Sequence, residues 1–382
     1  MVIGAFLLVG LIIGPIVFLQ ARKTLRNQKN YERGLKMVTM LIHLPPPSDD
    51  TEVGSRDIRD VTDENISKAE FIYNIISSTL QSGFKSSFYG QKHVSFEIVC
   101  QHGFVNLYAC VPVTLIEVVK QAVVSAYPSA RLEEVADYNI FNKAGGITAT
   151  VGGELTLKKK FAYPIATYHD IKRDPMQSVL NAMSALDKQD GLAIQIMVRP
   201  AQSGWSKQAS SIATSKRKGE KESSGAAGFS FWWARQVVGA LVKPPEDQSD
   251  KDSNSPPGSK LSSHEQQILD SIDEKTKHPG FETSIKIISS SNVYQRSQDM
   301  LSNVVASFSL FDLPGKNGFK WNTASDISQF VTSFILRTFP QSHNKNILNS
   351  VELATLFHFP QQEDIPTSQL TRQDSKQVLA QD

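Results

Sequence analysis

Val94–Val111, VSFEIVCQHGFVNLYACV, decides the fold. His102-Gly103 at its centre is a two-residue hairpin turn, because glycine accepts a positive φ at no cost and histidine tolerates it. That turn sets Val94, Phe96, Ile98 and Cys100 opposite Val111, Ala109, Leu107 and Val105, all on one face. A single apolar face is what a half-buried antiparallel pair requires. The other face carries His93, Ser95, Glu97, Val99, Phe104, Asn106, Tyr108 and Cys110. Cys100 and Cys110 lie about 16 Å apart along such a ladder, beyond disulfide reach, so both are expected as thiols.

Outward from the hairpin, Lys36–Leu44 is an apolar strand stopped by Pro45-Pro46-Pro47. Asp63 caps a helix with Ile66, Ala69, Ile72, Ile76 and Leu80 on one stripe, ended by Gly83. Thr114–Glu117 reads as a capping box, followed by a helix with Ile116, Val119, Val123 and Ala126 buried. Arg131–Tyr138 is a short strand. Strand, helix, strand, strand, helix, strand is the ferredoxin-like βαββαβ order.

The pattern restarts after Gly145-Gly146. Glu154–Tyr168 alternates like a strand across Lys158–Lys160, Asp174-Pro175 caps a helix with an N1 proline, and Gly191–Arg199 is a strand. The remaining strand, helix and strand are read at Phe281–Ser290, Asn292–Phe311 and Ile327–Arg337. Between them lies an insertion at about 201–262, whose Pro/Ser/Asp-rich part reads as disordered. Within it Phe229, Trp232, Trp233, Val237 and Leu241 form an apolar segment near a basic cluster. That suits a membrane interface. An ordinary helix buried against the second module or a neighbouring subunit is the other reading.

The first nineteen residues contain no charge, and as a helix they span about 28 Å. That is close to the roughly 30 Å of bilayer hydrocarbon. Arg22, Lys23, Arg26, Lys29, Arg33 and Lys36 follow. Cations on that side predict a signal anchor with the N-terminus outside and the bulk cytoplasmic, against the inner membrane. A cleaved signal peptide is the alternative. The expected fold class is therefore α+β: one N-terminal transmembrane helix, then two ferredoxin-like βαββαβ modules, the second with a long partly disordered insertion. The expected layout is anchor 1–20, basic segment 21–36, first module 37–142, second module 147–340, linker helix 341–360 and polar tail 361–382.

Over 382 residues the formal charge is only +2, which gives no global field for nucleic acid. Two cysteines exclude a disulfide framework. No GxxxxGK[ST], HExxH, GxSxG or CxxC occurs, and the eight histidines have no metal-ligand spacing. No cofactor is expected.

At the C-terminal end, Ile347–Pro360, ILNSVELATLFHFP, resembles the segment just before the motor of conjugation-type, FtsK/HerA-like DNA-transfer ATPases of type IV secretion. The Val94–Val111 hairpin, Ala126-Tyr127-Pro128, the run at 157–165 and Pro279–Glu282 fit the same family. The resemblance covers most of residues 1–360 and consists of packing and turn motifs. Where that family continues into a RecA-like motor, residues 361–382 are a polar tail without Walker motifs. The resemblance therefore implies a non-enzymatic, membrane-tethered part of a DNA-translocation machine. Its implied partners are membrane lipid, a separate motor ATPase and copies of itself in a ring, with DNA contact indirect or weak. Asn349 and Glu352 make a capping box, and Leu353, Leu356 and Phe357 share a stripe. This stripe, with Glu352, either docks a motor or packs in the chain's own core. The alternatives are a binding module unrelated to a motor and an enzyme with no recognised motif.

Overall fold

The structure is a computed structural model that describes residues 2–44, 58–141, 149–171, 174–184, 186–217, 262–340 and 346–360. Helices α1 (Val2–Gly34), α2 (Ile58–Ser77), α3 (Phe84–Tyr89) and α4 (Ile116–Ala126) accompany strands β1 (Met37–His43), β2 (Val94–Gln101), β3 (Phe104–Pro112) and β4 (Arg131–Glu134). Then follow β5 (Ala149–Leu157), α5 (Pro175–Ser184), β6 (Gly191–Pro200), α6 (Trp205–Arg217), α7 (Ser263–Thr276) and β7 (Gly280–Ser291). The chain continues with α8 (Tyr294–Ser307), β8 (Phe319–Thr323), α9 (Ile327–Ile335), β9 (Ile347–Asn349) and α10 (Ser350–Leu356).

All strands join one antiparallel sheet in the order β4-β1-β3-β2-β6-β7-β5-β8, with β9 added on β7. The hairpin has the register its turn dictates, Phe96 facing Ala109, Ile98 facing Leu107 and Cys100 facing Val105. Each half has the strand order of a βαββαβ module, β4-β1-β3-β2 and β8-β5-β7-β6, and the β2–β6 pairing, which runs from Val94↔Val198 to Gln101↔Gly191, joins the two halves edge to edge into one sheet. Each of these strands carries apolar residues on both faces, and as free edges they would be sticky; pairing with each other satisfies both.

One face of the sheet, with Met40, Phe96, Ile98, Leu107, Ile194, Ile196, Phe281 and Ile285, is fully buried under α2, α4, α5, α8 and α10. The other face is covered by α9, through Phe330 and Phe334, and by residues 135–141. A third apolar cluster joins α6 to α7 through Ala209, Ala213, Leu269 and Ile272, so the first stretch of the insertion is an ordered part of the body. Gly280 lets Trp205 of α6 approach so closely that a Cβ there would stand 2.3 Å from the indole ring.

Several local expectations change. Ile327–Arg337 is a helix rather than the last strand: Asp326 accepts from the Gln329 amide as an N-cap, and Phe330 and Phe334 share the buried side. The strand role falls to Phe319–Thr323, paired with β5. The strand expected over Glu154–Tyr168 ends at Leu157. Beyond it the Asn317 amide accepts from Lys159 N and donates to the Lys159, Lys160 and Tyr163 carbonyls, holding an irregular loop. α2 starts before Asp63, and Leu80 lies beyond its end, exposed. The Thr114 capping box is not formed; residues Val113–Leu115 make a 3-10 turn, and Thr114 accepts from Lys92 instead.

The largest correction concerns the anchor. Among the described residues no helix is long and apolar enough to cross a membrane. The expectation of a transmembrane helix, and with it the single-pass inner-membrane placement, is overturned on that finding. The side chains before Val17, Gly14 apart, lie outside the description. Val17, Phe18 and Leu19 are exposed, and from Gln20 on α1 is largely polar and is tied to the body. Asn30 Nδ2 donates to Phe339 O, Arg33 donates to Gly90 O and Gln91 O, and Arg26 Nε donates to Phe88 O. Gly34 permits this docking, since a Cβ would sit 2.0 Å from Leu336 O. The basic tract thus has folding partners of its own, which a tract that only orients a membrane helix does not need.

Candidate functional site

The second face of the sheet is unusual because its strands carry charge where burial is complete. Glu97 on β2, Gln195 on β6 and Lys286 on β7 lie on one line across three strands, Glu97 opposite Gln195 and Gln195 opposite Lys286. All three are buried. Burying an ion costs heavily unless it is paired and hydrogen-bonded, so each must find partners.

Arg337 supplies them for Glu97. Its Nε and Nη2 donate to the two carboxylate oxygens at 2.9 and 3.1 Å. The same guanidinium donates to both oxygens of Asp137, at 3.0 and 2.7 Å. Ser95 Oγ, Gln195 Nε2 and Cys110 Sγ also donate to Glu97, at 2.6, 2.9 and 3.3 Å. Burial pushes the Glu97 carboxyl up, but Arg337 and these donors more than offset it and leave the carboxyl below its usual range. Arg337 adopts φ 48°, a left-handed conformation that a long side chain takes only when its surroundings hold it there. Lys286 donates to Ser333 O, Ser333 Oγ and Thr338 O, each at 3.0 Å, and burial brings its ammonium down to about 8. His93 Nε2 lies 2.8 Å from Arg337 O, which makes it the donor. Glu97, Gln195, Lys286, His93 and Arg337 are buried and Asp137 is exposed at the edge, and the network works as a strut that sets the 336–340 segment.

That segment forms one wall of a cleft of about 590 Å³. α1 forms the opposite wall with Arg22, Lys23 and Arg26, and β5, β6 and β7 form the floor with Glu154, Arg199, Glu282 and Ser284. Arg199 Nη2 and Nε reach Glu282 Oε2 at 2.6 and 2.8 Å, and its guanidinium lies 4.0 Å from the centre of the Phe339 ring. Arg26 is held below the usual arginine value by burial first, then by Arg22 and Arg199. Burial raises the Glu154 carboxyl. The cleft can hold an anionic or polar molecule. Among the described residues no group of His, Cys, Asp and Glu could hold a metal ion.

The candidate residues named from the sequence scatter through the fold, as their chemistry requires. Glu352, Leu353, Leu356 and Phe357 are buried inside the body. Phe357 stacks on Phe96 at 5.0 Å, and Tyr73 Oη donates to its carbonyl. Glu352 accepts from the Asn349 and Ile165 amides at 2.8 Å and pairs with the buried Lys275 at 3.0 Å. Of the six basic residues, Arg22, Lys23 and Arg26 line the cleft, Arg33 anchors α1, and Lys29 and Lys36 pair with Glu32. Phe229, Trp232, Trp233, Val237 and Leu241 lie outside the described residues.

No motif in the sequence marks Arg337, Asp137, Arg199, Ser284 or Lys286. A signal is present in Glu97 and Lys286: Glu97 is the lone charge of its strand, and Lys286 interrupts the apolar run IKII, so each demands a buried partner.

No curated protein matches the chain. A family model described as a domain of unknown function (DUF8128) matches residues 61–373. With most of its length inside that match, the chain belongs to this family of unknown function.

Proposed function

We propose that the chain is a non-enzymatic coupling module of a conjugation-like or type IV secretion-like DNA-translocation machine, working beside a separate FtsK/HerA-like motor ATPase and contacting DNA at most indirectly. The observation that supports it is the locking of residues 347–359, the stretch that resembles the lead-in to the motor. β9 pairs with β7, the Asn349–Glu352 capping box is reciprocal, and Phe359 stacks on Tyr127 at 4.5 Å. Whatever follows Pro360 leaves the body from a rigid point, which is the mechanical requirement for transmitting force from a motor. Leu353 and Phe357 then serve as the core of that point and not as the docking surface.

The test is reconstitution of the full chain with a Walker-type ATPase encoded beside it. Co-elution is expected, with photo-crosslinks from residues near Pro360. Separate elution of the two proteins at micromolar concentration overturns the reading.

A further inference from the structure

Three observations converge on the cleft between α1 and the polar face of the sheet, and none of them depends on a motor. Its volume, about 590 Å³, lies in the range of small-molecule sites. Its lining brings the guanidiniums of Arg22, Arg26 and Arg199 together with Lys23, against two carboxylates among the described residues, Glu154 and Glu282. Arg199 already engages Glu282. Crowding like charges raises the energy of the empty site, and an anion placed among them relieves it.

The third observation is Ser284. It is 2% exposed, it lines the cleft, and its Oγ has no hydrogen-bond partner among the described residues. A buried hydroxyl without a partner is a standing cost that a ligand oxygen can remove. The guanidinium fork matches the oxygens of phosphate, and three arginines converge here although Arg26 Nε already donates to Phe88 O and Arg199 to Glu282. Glu154, partly withdrawn from water on the same floor, suits a hydroxyl on the body of the ligand.

We propose that this cleft binds a phosphate-bearing small molecule, with Arg22, Arg26 and Arg199 around the phosphate and Ser284 Oγ hydrogen-bonded to it. The phosphate can belong to a soluble ester or to the headgroup of a lipid; the recognition chemistry is the same.

The experiment uses the full chain. Titration calorimetry with glycerol 3-phosphate measures the soluble arm, with inorganic phosphate as competitor. Flotation with vesicles of phosphatidylglycerol, against phosphatidylcholine alone, measures the lipid arm. Saturable binding is expected in at least one arm, weakened at least about tenfold by Arg22→Glu and several-fold by Ser284→Ala, since a charge-assisted contact outweighs a neutral one. Arg22 is partly exposed, so its variant should keep the wild-type unfolding midpoint, which separates lost binding from lost folding. Binding confined to the soluble arm assigns a free phosphate ester, and binding confined to phosphatidylglycerol assigns a headgroup. No saturable binding in either arm, or equal binding by wild type and both variants, overturns the proposal.

Discussion

The two faces of the sheet are buried by opposite means. On one, Phe96, Ile98, Ile194, Ile196 and Phe281 meet helices through apolar contact, and the directed bonds there, such as Tyr73 Oη to Phe357 O, run among the covering elements. On the other, Glu97 meets Arg337, Gln195 meets Glu97 and Phe334 O, and Lys286 meets Ser333 and Thr338, all through directed bonds. Apolar contact is non-directional, so the first face tolerates exchange of one side chain for another of similar size. Charge pairing at zero exposure is not tolerant, because removing one partner strands the other. The polar face is therefore the more fragile of the two, and it is the face that sets the wall of the cleft.

The strongest way to break this contrast is Arg337→Met. It leaves Glu97 without its cation and should cost about 3–5 kcal/mol, read as a lower urea midpoint. Pairing it with Glu97→Leu should recover part of that loss, as a double-mutant cycle would register. A cost below about 1 kcal/mol for the single change would sink the idea that this face is held by charge.

Next in size is Leu353→Ala on the apolar side. Leu353 is fully buried, and the truncation should cost about 2–5 kcal/mol in the isolated chain, from lost transfer energy and the cavity left behind. An unchanged midpoint would show that α10 packs only when a partner is present.

His93 sharpens the comparison through pH. Burial first, then Arg199, lowers its imidazole to about 3. Unfolded histidine titrates near 6.5, so below about that pH the unfolded chain binds a proton that the folded chain refuses. Stability should fall as pH drops from about 6.5 toward the folded value, with a slope of at most about 1.4 kcal/mol per pH unit from this group. Asp174 and Glu97, both held below the usual carboxylate range, add their losses only at lower pH. Urea midpoints followed from neutral to mildly acid pH should therefore decline in wild type and decline less in His93→Gln. Parallel declines in the two proteins would rule His93 out as the cause.

The smallest effect should come from Thr114→Ala. With no capping box at that turn, only the exposed contact from Lys92 is lost, and stability should move by less than about 0.5 kcal/mol. A loss of a full cap, about 1 kcal/mol, would restore the capping box that the sequence pattern suggests.

What the sequence by itself determined were features closed within a few residues of chain. The His102-Gly103 turn set the register of eight facing residues because side-chain period and turn length leave no other. The Asn349–Glu352 box and the Asp174-Pro175 start formed because cap and amide are neighbours in sequence. Thr114 carried the same pattern and failed, since its segment tightened into a 3-10 turn. Ile327–Arg337, rich in β-branched and aromatic residues, fits a strand as well as a helix, and only the buried seat for Phe330 and Phe334 chose the helix. The β2–β6 pairing, the Lys275–Glu352 ion pair and the meeting of Arg337 with Glu97 were decided by the tertiary structure alone. Each joins residues far apart in the chain, and a lone charge in a strand announces that it needs a partner without naming which one. The cleft belongs to the same class: Arg22, Arg199 and Ser284 come together only because α1 docks across strands that follow it by more than a hundred residues.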